Sequence, residues 1–290
     1  MKTEHSEKNL LMQIANGFRA SRGIRKNLDG EALVELANQI VESKPEQEKT
    51  VEIIENGTME IAADEGKALS KVTAVVSVLT STANKLSQII EGTVTELTAE
   101  DLAGVTKIGK YAFSYGSSLK SITIPDSITN IDERAFHECH NLTSVTIGNG
   151  VFNIGDYAFC RCSSLTSVTI GDSVWKIKSG AFQDCSSLTS IIIPNSVISI
   201  NTSAFERCTN LTNVTIGDGV TSIGSWGLEV GSSTNKATII FLGIEPPSIQ
   251  NLTFKTAYLN KIIVPKGCGE VYKAATNWAN FADFIEEAAE

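Results

Sequence analysis

Three groupings in the chain have residue types and spacings that could do chemistry. His137-Glu138-Cys139-His140 places metal-ligating side chains within four positions, but a closed site needs a second Cys or His pair at ligand spacing, and none follows. His5 is the only other histidine, so no Ser/His/Asp or Cys/His set for nucleophilic catalysis stands out. The acidic residues are scattered without a pocket signature. Solvated histidines around an inward Cys139 are therefore expected, with no metal and no cofactor.

The second grouping is a cysteine series: Cys139, Cys162, Cys185 and Cys208 recur at one interval, with Gly116 in the place before them. Side chains repeated on neighbouring strands stand about 4.8 Å apart, whereas a disulfide prefers Cβ atoms about 3.8 Å apart. A ladder of buried thiols capping local backbone is the expectation; Cys160 and Cys268 stand outside it and their pairing is open.

The third grouping is a hydroxyl carpet made of Ser121 and Thr123, Ser144 and Thr146, Ser167 and Thr169, Ser190 and Ile192, and Asn213 and Thr215. On a parallel sheet these residues form two columns able to donate to and accept from a glycan or a protein. Thr also simply suits strands, and Ser fills small outer positions. With no aromatic residue in the columns, tight stacking against sugars is not expected there.

What positions these groups is an internal repeat. The pairs Ala112-Phe113, Ala135-Phe136, Ala158-Phe159, Ala181-Phe182 and Ala204-Phe205 recur every 23 residues without a slip. Leu119, Leu142, Leu165, Leu188 and Leu211 are each followed at +3 and +5 by Ile or Val, as in Val145-Ile147 and Val168-Ile170. Alternating apolar residues put one side of a short strand inward. Val174 and Ile177 of the return segment and the Ala-Phe turn supply the other inward groups. One coil cannot bury them, so coils must stack, with closed ends. Pro125, Pro194, Gly148, Gly171 and Gly217 punctuate the strands.

After a two-residue insertion near Ser232-Ser233 the ladder continues through Ile239 and Phe241, then Leu259, Ile262 and Val264. Leu97, Leu102, Val105 and Ile108 read as a leading half-coil. Val271, Ala275, Trp278, Phe281, Phe284 and Ile285 read as an amphipathic closing cap. The expected fold is an α/β solenoid of about seven coils with a parallel sheet over residues 92–290, behind a small α+β domain at 1–91.

That first domain lacks the repeat. Leu10, Leu11, Ile14, Ala15 and Phe18 fit one helical face, and Leu33, Leu36, Ala37, Ile40 and Val41 a second, opened by Asp29. Val51-Glu52-Ile53 and Met59-Glu60-Ile61 flank Asn56-Gly57, a strong hairpin signal. A third strand at 72–78 and a connecting helix at 85–90 complete the reading. Arg19, Arg22, Arg25 and Lys26 form one basic cluster, placed to complement a helix C-terminus.

Composition narrows the partners. A net charge of -9 in 290 residues repels phosphate backbones, and residues 108–222 hold 7 Lys/Arg against 9 Asp/Glu, so no basic face invites nucleic acid. The N-terminus shows Glu4, Glu7 and Lys8 where a secretory leader would be apolar. No run approaches the roughly 18 apolar residues of a membrane span. Synthesis in the cytosol, without membrane insertion, is expected.

The units, running I-G-x-x-A-F-x-x-C-x-x-L-x-S-I-x-I-P, resemble the BspA-like class of bacterial surface-antigen leucine-rich repeats over about residues 95–288. The resemblance implies a right-handed solenoid with a parallel sheet, a role in recognition or adhesion, and no catalytic residue. The stretch from Thr50-Val51-Glu52-Ile53 through Asn56-Gly57-Thr58, Asp64-Glu65-Gly66 and Leu69-Ser70-Lys71-Val72-Thr73 is similar to a segment of phage tail-associated structural proteins. It implies docking of the N-terminal part to a larger assembly. The expectation is a non-enzymatic module binding a protein or glycan on a cell surface, as part of a phage tail or, alternatively, as a bacterial surface adhesin; an enzyme is the third reading.

Overall fold

The computed structural model describes residues 94–289 other than 103, 104 and 117, together with the backbone of two strands, Thr50–Ile54 and Thr58–Ala62. Those two strands pair antiparallel, from Thr50↔Ala62 to Ile54↔Thr58, as alternation about Asn56-Gly57 requires. The helices expected at 10–18, 33–41 and 85–90 and the strand at 72–78 lie outside the described residues. Residues Leu86–Glu290 form one compact unit and Met1–Lys85 another.

The larger unit is a β-solenoid of about eight turns. Each coil carries a strand on one face, such as Ser144–Ile147, then a two-residue strand on a second face, such as Asn153–Ile154. Burial alternates along the first, with Val145 and Ile147 inward and Thr146 exposed. Neighbouring coils pair parallel and in register, Ser121↔Ser144 and Thr123↔Thr146 on the first face, Asn130↔Asn153 on the second. Leu119, Leu142, Leu165, Leu188 and Leu211 are all fully buried in a row along one interior.

The expected stack is present, and two details refine it. The count is about eight, because the leading half-coil is paired, with Glu96–Leu97 hydrogen-bonded to the strand at Ser121, and because Ile285–Glu287 adds a strand beyond Leu259–Val264. The first face is also not one sheet. It divides into four strands ending at Ser167–Thr169 and five beginning at Ser190–Ile193, while the second face is continuous over seven strands. At the division the strand is only three residues long and Val168, expected inward, is half-buried.

The Ala-Phe turn explains why coils lie so close. Tyr111, Arg134, Tyr157 and Ser203 before the pair, Trp226 at the matching place before Gly227-Leu228, and Tyr115, Glu138, Arg161, Asp184 and Arg207 after the pair have positive φ. Left-handed backbone costs a residue with a Cβ about 1–2 kcal/mol. Here it points N–H groups along the stack: Tyr157, Phe159 and Arg161 donate to the carbonyls of Ser179, Ala181 and Gln183 at 2.9, 2.7 and 2.8 Å. The residues between them close local turns, as Ala158 N–H to Gly155 O at 3.2 Å. Gly180 takes the left-handed place in its own coil because a Cβ there would lie 2.4 Å from the Tyr157 ring.

Inside the turns five rings form a parallel stack. Phe113, Phe136, Phe159, Phe182 and Phe205 are separated by 5.0, 4.9, 5.2 and 5.3 Å between centroids and tilted by no more than 7°. Beside them runs the thiol ladder, in which Cys139, Cys162, Cys185 and Cys208 are free and buried. Each thiol donates backwards, to the carbonyls of Phe113, Phe136, Phe159 and Phe182 at 3.1, 3.2, 3.2 and 3.1 Å. The backbone it caps is therefore that of the preceding coil, adding a second donor to a carbonyl that already accepts a local N–H, as Phe136 O does from Cys139 N–H at 3.3 Å.

The closing segment departs from its expected face. A short helix at Gly269–Ala274 and a 3-10 segment at Trp278–Phe284 bury Tyr272, Trp278, Phe281 and Ile285, whereas Val271 is exposed. Tyr272 donates its hydroxyl to Gly243 O at 2.7 Å and Trp278 its Nε1–H to Pro247 O at 2.8 Å, so both large side chains enter the core with their polar ends satisfied. Glu287 accepts from Gly267 N–H and Gly269 N–H, both at 2.9 Å, fixing the loop before the helix.

Burial pushes the thiols of Cys162 and Cys185 well above the ordinary value of 9.0, raises that of Cys208 in the same direction, and lifts Cys160 to about 11. Folding thus favours the protonated thiols. That contribution is intact below pH 9, the unfolded value, and is lost as pH rises above it toward the folded values. Unfolding in denaturant should therefore shift to lower midpoints above about pH 9. Ellman's reagent at neutral pH should find one fast thiol, Cys268, in the native chain and all 6 after denaturation. Rapid reaction of several thiols in the native chain would contradict the ladder.

Candidate recognition surface

The expected hydroxyl columns exist, and they face outward. Thr123, Thr146, Ser167, Thr169, Ser190, Ile192 and Asn213 are exposed, while Ser121, Ser144 and Thr215 are half-buried. The first column runs Ser121, Ser144, Ser167 and the second Thr123, Thr146, Thr169. Past the break Ser190 stands beside Asn213 and Ile192 beside Thr215, so the ten residues form two groups on separate sheets instead of one uninterrupted carpet.

Neighbouring hydroxyls behave differently. Thr143 and Thr166, which precede their strands, donate to Lys120 O and Thr143 O at 2.9 and 3.0 Å and tie coil to coil. Among the described residues the hydroxyls of Ser144, Thr146, Ser167 and Thr169 bond to no protein group. They are available to a ligand without breaking anything.

Sequence reading stopped short of where the second column leads. Thr215 pairs with Ile240, which pairs with Ile263. The outer column thus turns from threonine to isoleucine in the last coils, with Ile192 70% exposed at the change. The two-residue insertion hid this, because it moves the register by a bulge at Ala237/Thr238.

Among the described residues several ionisable groups pair between neighbouring coils. Arg134 lies between the rings of Tyr111 and Tyr157, at 5.6 and 5.1 Å from their centroids, and donates to the Tyr111 hydroxyl at 2.7 Å. Arg161 bridges to Glu138 at 2.8 Å in the adjacent coil. His140 is solvated as expected, but His137 is not: it is half-buried and meets the Tyr115 ring edge-on at 5.7 Å. That burial lowers its pKa below the ordinary 6.5. No group of three or more His, Cys, Asp or Glu among the described residues could hold a metal. Among those residues no helix is long and apolar enough to cross a membrane.

Coils of this length, with a leucine entering each strand and a parallel ladder joining them, define a leucine-rich-repeat solenoid. The profile of the BspA type leucine rich repeat region matches in 6 copies, over residues 106–233 and 175–281. The matched span exceeds half of the chain, and the protein belongs to this family.

Similar solved structures are bacterial. The leucine-rich repeat protein of T. pallidum is 24% identical over 49% of this chain and 68% of its own, with a TM-score of 0.45. A leucine-rich repeat protein from Bacteroides ovatus is 22% identical over 75% and 70%, with a TM-score of 0.41. The pneumococcal vaccine antigen PcpA is 15% identical over 67% of each chain, with a TM-score of 0.43. No curated protein matches the chain.

Proposed function

We propose that this chain is a non-enzymatic recognition module whose first face binds a protein or glycan on a cell surface. The observation that carries the reading is the pair of outward columns Ser144–Ser167 and Thr146–Thr169, whose hydroxyls have no partner within the described protein. Hydrogen-bonding groups held at fixed spacing by buried coils lose little entropy when a ligand arrives. Family context agrees, since proteins with this repeat are typically surface adhesins or antigens. Residues 1–91 would act as the tether, to a phage particle or to a cell envelope, and the solenoid would be displayed at the exterior.

Replacing Ser144, Thr146, Ser167 and Thr169 together with Lys tests this. The four side chains point away from the core, so the free energy of unfolding should stay within about 0.5 kcal/mol per site of the parent. Capture of whole cells should fall at least tenfold. Undiminished capture by a folded quadruple variant would remove the first face from the binding surface.

A further inference from the structure

The second face carries a stripe of large apolar residues, two of them aromatic. Phe152, Trp175 and Ile198 occupy the residue before the short strand in three successive coils, and their backbones join in sequence, Trp175 N–H to Phe152 O at 3.0 Å and Ile198 N–H to Trp175 O at 2.9 Å. They are 47%, 45% and 45% exposed, although the equivalent places before and after are Thr129 and Thr221. Large apolar groups repeated in register at the surface mark an interaction site rather than scatter.

A groove lies on the same sheet, toward the other end of the short strands. Ile198 directly precedes Ser199–Ile200, and Ile200 with Ile223 forms the floor of a depression of about 210 Å³. Its walls include Ser179, Asn201, Thr202, Ser222 and Gln250, and Gly224 leaves one position without a side chain. Among the described residues the side chains of Asn201, Thr202, Ser222 and Gln250 have no protein hydrogen-bond partner. None of the residues lining the groove is ionisable.

These features select a chemistry. The volume falls below the roughly 300–1,000 Å³ of drug-sized sites and matches one sugar unit. A protein anchor seeks an apolar pocket, and an ionic ligand would find no opposite charge among the residues that line the groove itself. A neutral polyhydroxylated chain instead meets amide and hydroxyl groups in the groove, while its C–H faces lie on Phe152 and Trp175. Lys176, with Nζ 5.2 Å from the Trp175 ring centroid, adds a donor beside the platform. We propose that the second face, from Phe152 to Gln250, is a binding site for neutral oligosaccharides that run across the coils. It uses none of the residues of the first face, so it stands or falls separately from that reading.

Native electrophoresis of the full chain in gels cast with soluble β-glucan, α-mannan or galactan, and with polygalacturonate as an acidic polymer, tests the site. At least one neutral polymer should retard the chain. Trp175→Ala and Asn201→Ala should each weaken that retardation roughly tenfold, the size of one lost stacking or polar contact. The quadruple Lys variant of the first face should be retarded like the parent. Phe152→Ala serves if Trp175→Ala does not fold. No retardation in any neutral polymer, retardation in polygalacturonate alone, or retardation indifferent to all three substitutions would overturn the proposal. So would cell capture that depends on Trp175 and disappears on protease treatment of the cells, which would make the face a protein-docking surface.

Discussion

Phe159→Ala should destabilise the solenoid by about 3–5 kcal/mol, read as a lowered denaturant midpoint. Phe159 is the middle of the five-ring stack, fully buried, with Phe136 on one side at 4.9 Å and Phe182 on the other at 5.2 Å. Removing it opens a void between two rings that cannot close on each other. The adjoining turns are held apart by backbone bonds, Phe136 N–H to Ala158 O and Phe159 N–H to Ala181 O, each at 2.7 Å. A native chain of this kind is stable by roughly 5–15 kcal/mol in total, so the loss is a large fraction. In a stack governed by nearest-neighbour terms the break also uncouples the coils on its two sides. A broadened or two-step unfolding curve would reveal that directly, and an unaltered midpoint would refute the stacked interior.

Trp278→Ala should cost a similar amount, about 3–5 kcal/mol, for a different reason. Trp278 is the hub of the closing cap, with Phe241, Phe254 and Tyr272 within 5.3, 5.7 and 5.0 Å of it. Its Nε1–H satisfies Pro247 O, and truncation leaves that buried carbonyl without its donor. The apolar end of the last coils, Phe241 and Phe254 among them, would then meet water. Terminal repeats are where a solenoid frays and self-associates, so the variant should both unfold earlier and sediment as larger species. A monomeric Trp278→Ala chain with the parent's midpoint would show that the cap is dispensable.

How legible this was differs by element. The Leu142 and Val145 positions could be read directly, because alternation and a 23-residue interval admit one inward face. The thiol ladder was readable too, by exclusion of a disulfide on spacing alone. Its bonding partner was not, since the carbonyl of Phe113 that accepts from Cys139 is 26 residues away and belongs to another coil. In the cap the periodicity of Trp278, Phe281 and Ile285 was visible, yet Tyr272 replaced Val271 as the inward residue. The chain there is a helical turn followed by a 3-10 segment, which rotates the face that a continuous helix would present.

The candidate surfaces follow the same division. The columns of Ser144 and Thr146 could be placed outward from the repeat. Phe152 and Trp175 could not be recognised as exposed neighbours of a polar groove, because apolar residues in a return segment read as core. The second sheet appears only when two-residue strands such as Lys176–Ile177 pair across coils; two residues are too short to show a period.

The sequence by itself determined the repeat length, the inward leucines and phenylalanines, and the need for a stack with closed ends, since burial of apolar groups depends on local spacing that any one coil displays. The tertiary structure alone decided the left-handed residues of each turn, the division of the first sheet, the direction of the thiol bonds and the placing of Trp175 and the groove at Asn201 on one sheet. These depend on what the neighbouring coil offers. Tyr157 and Arg161 adopt positive φ not from their own preference but because Ser179 and Gln183 hold carbonyls where their N–H groups must point.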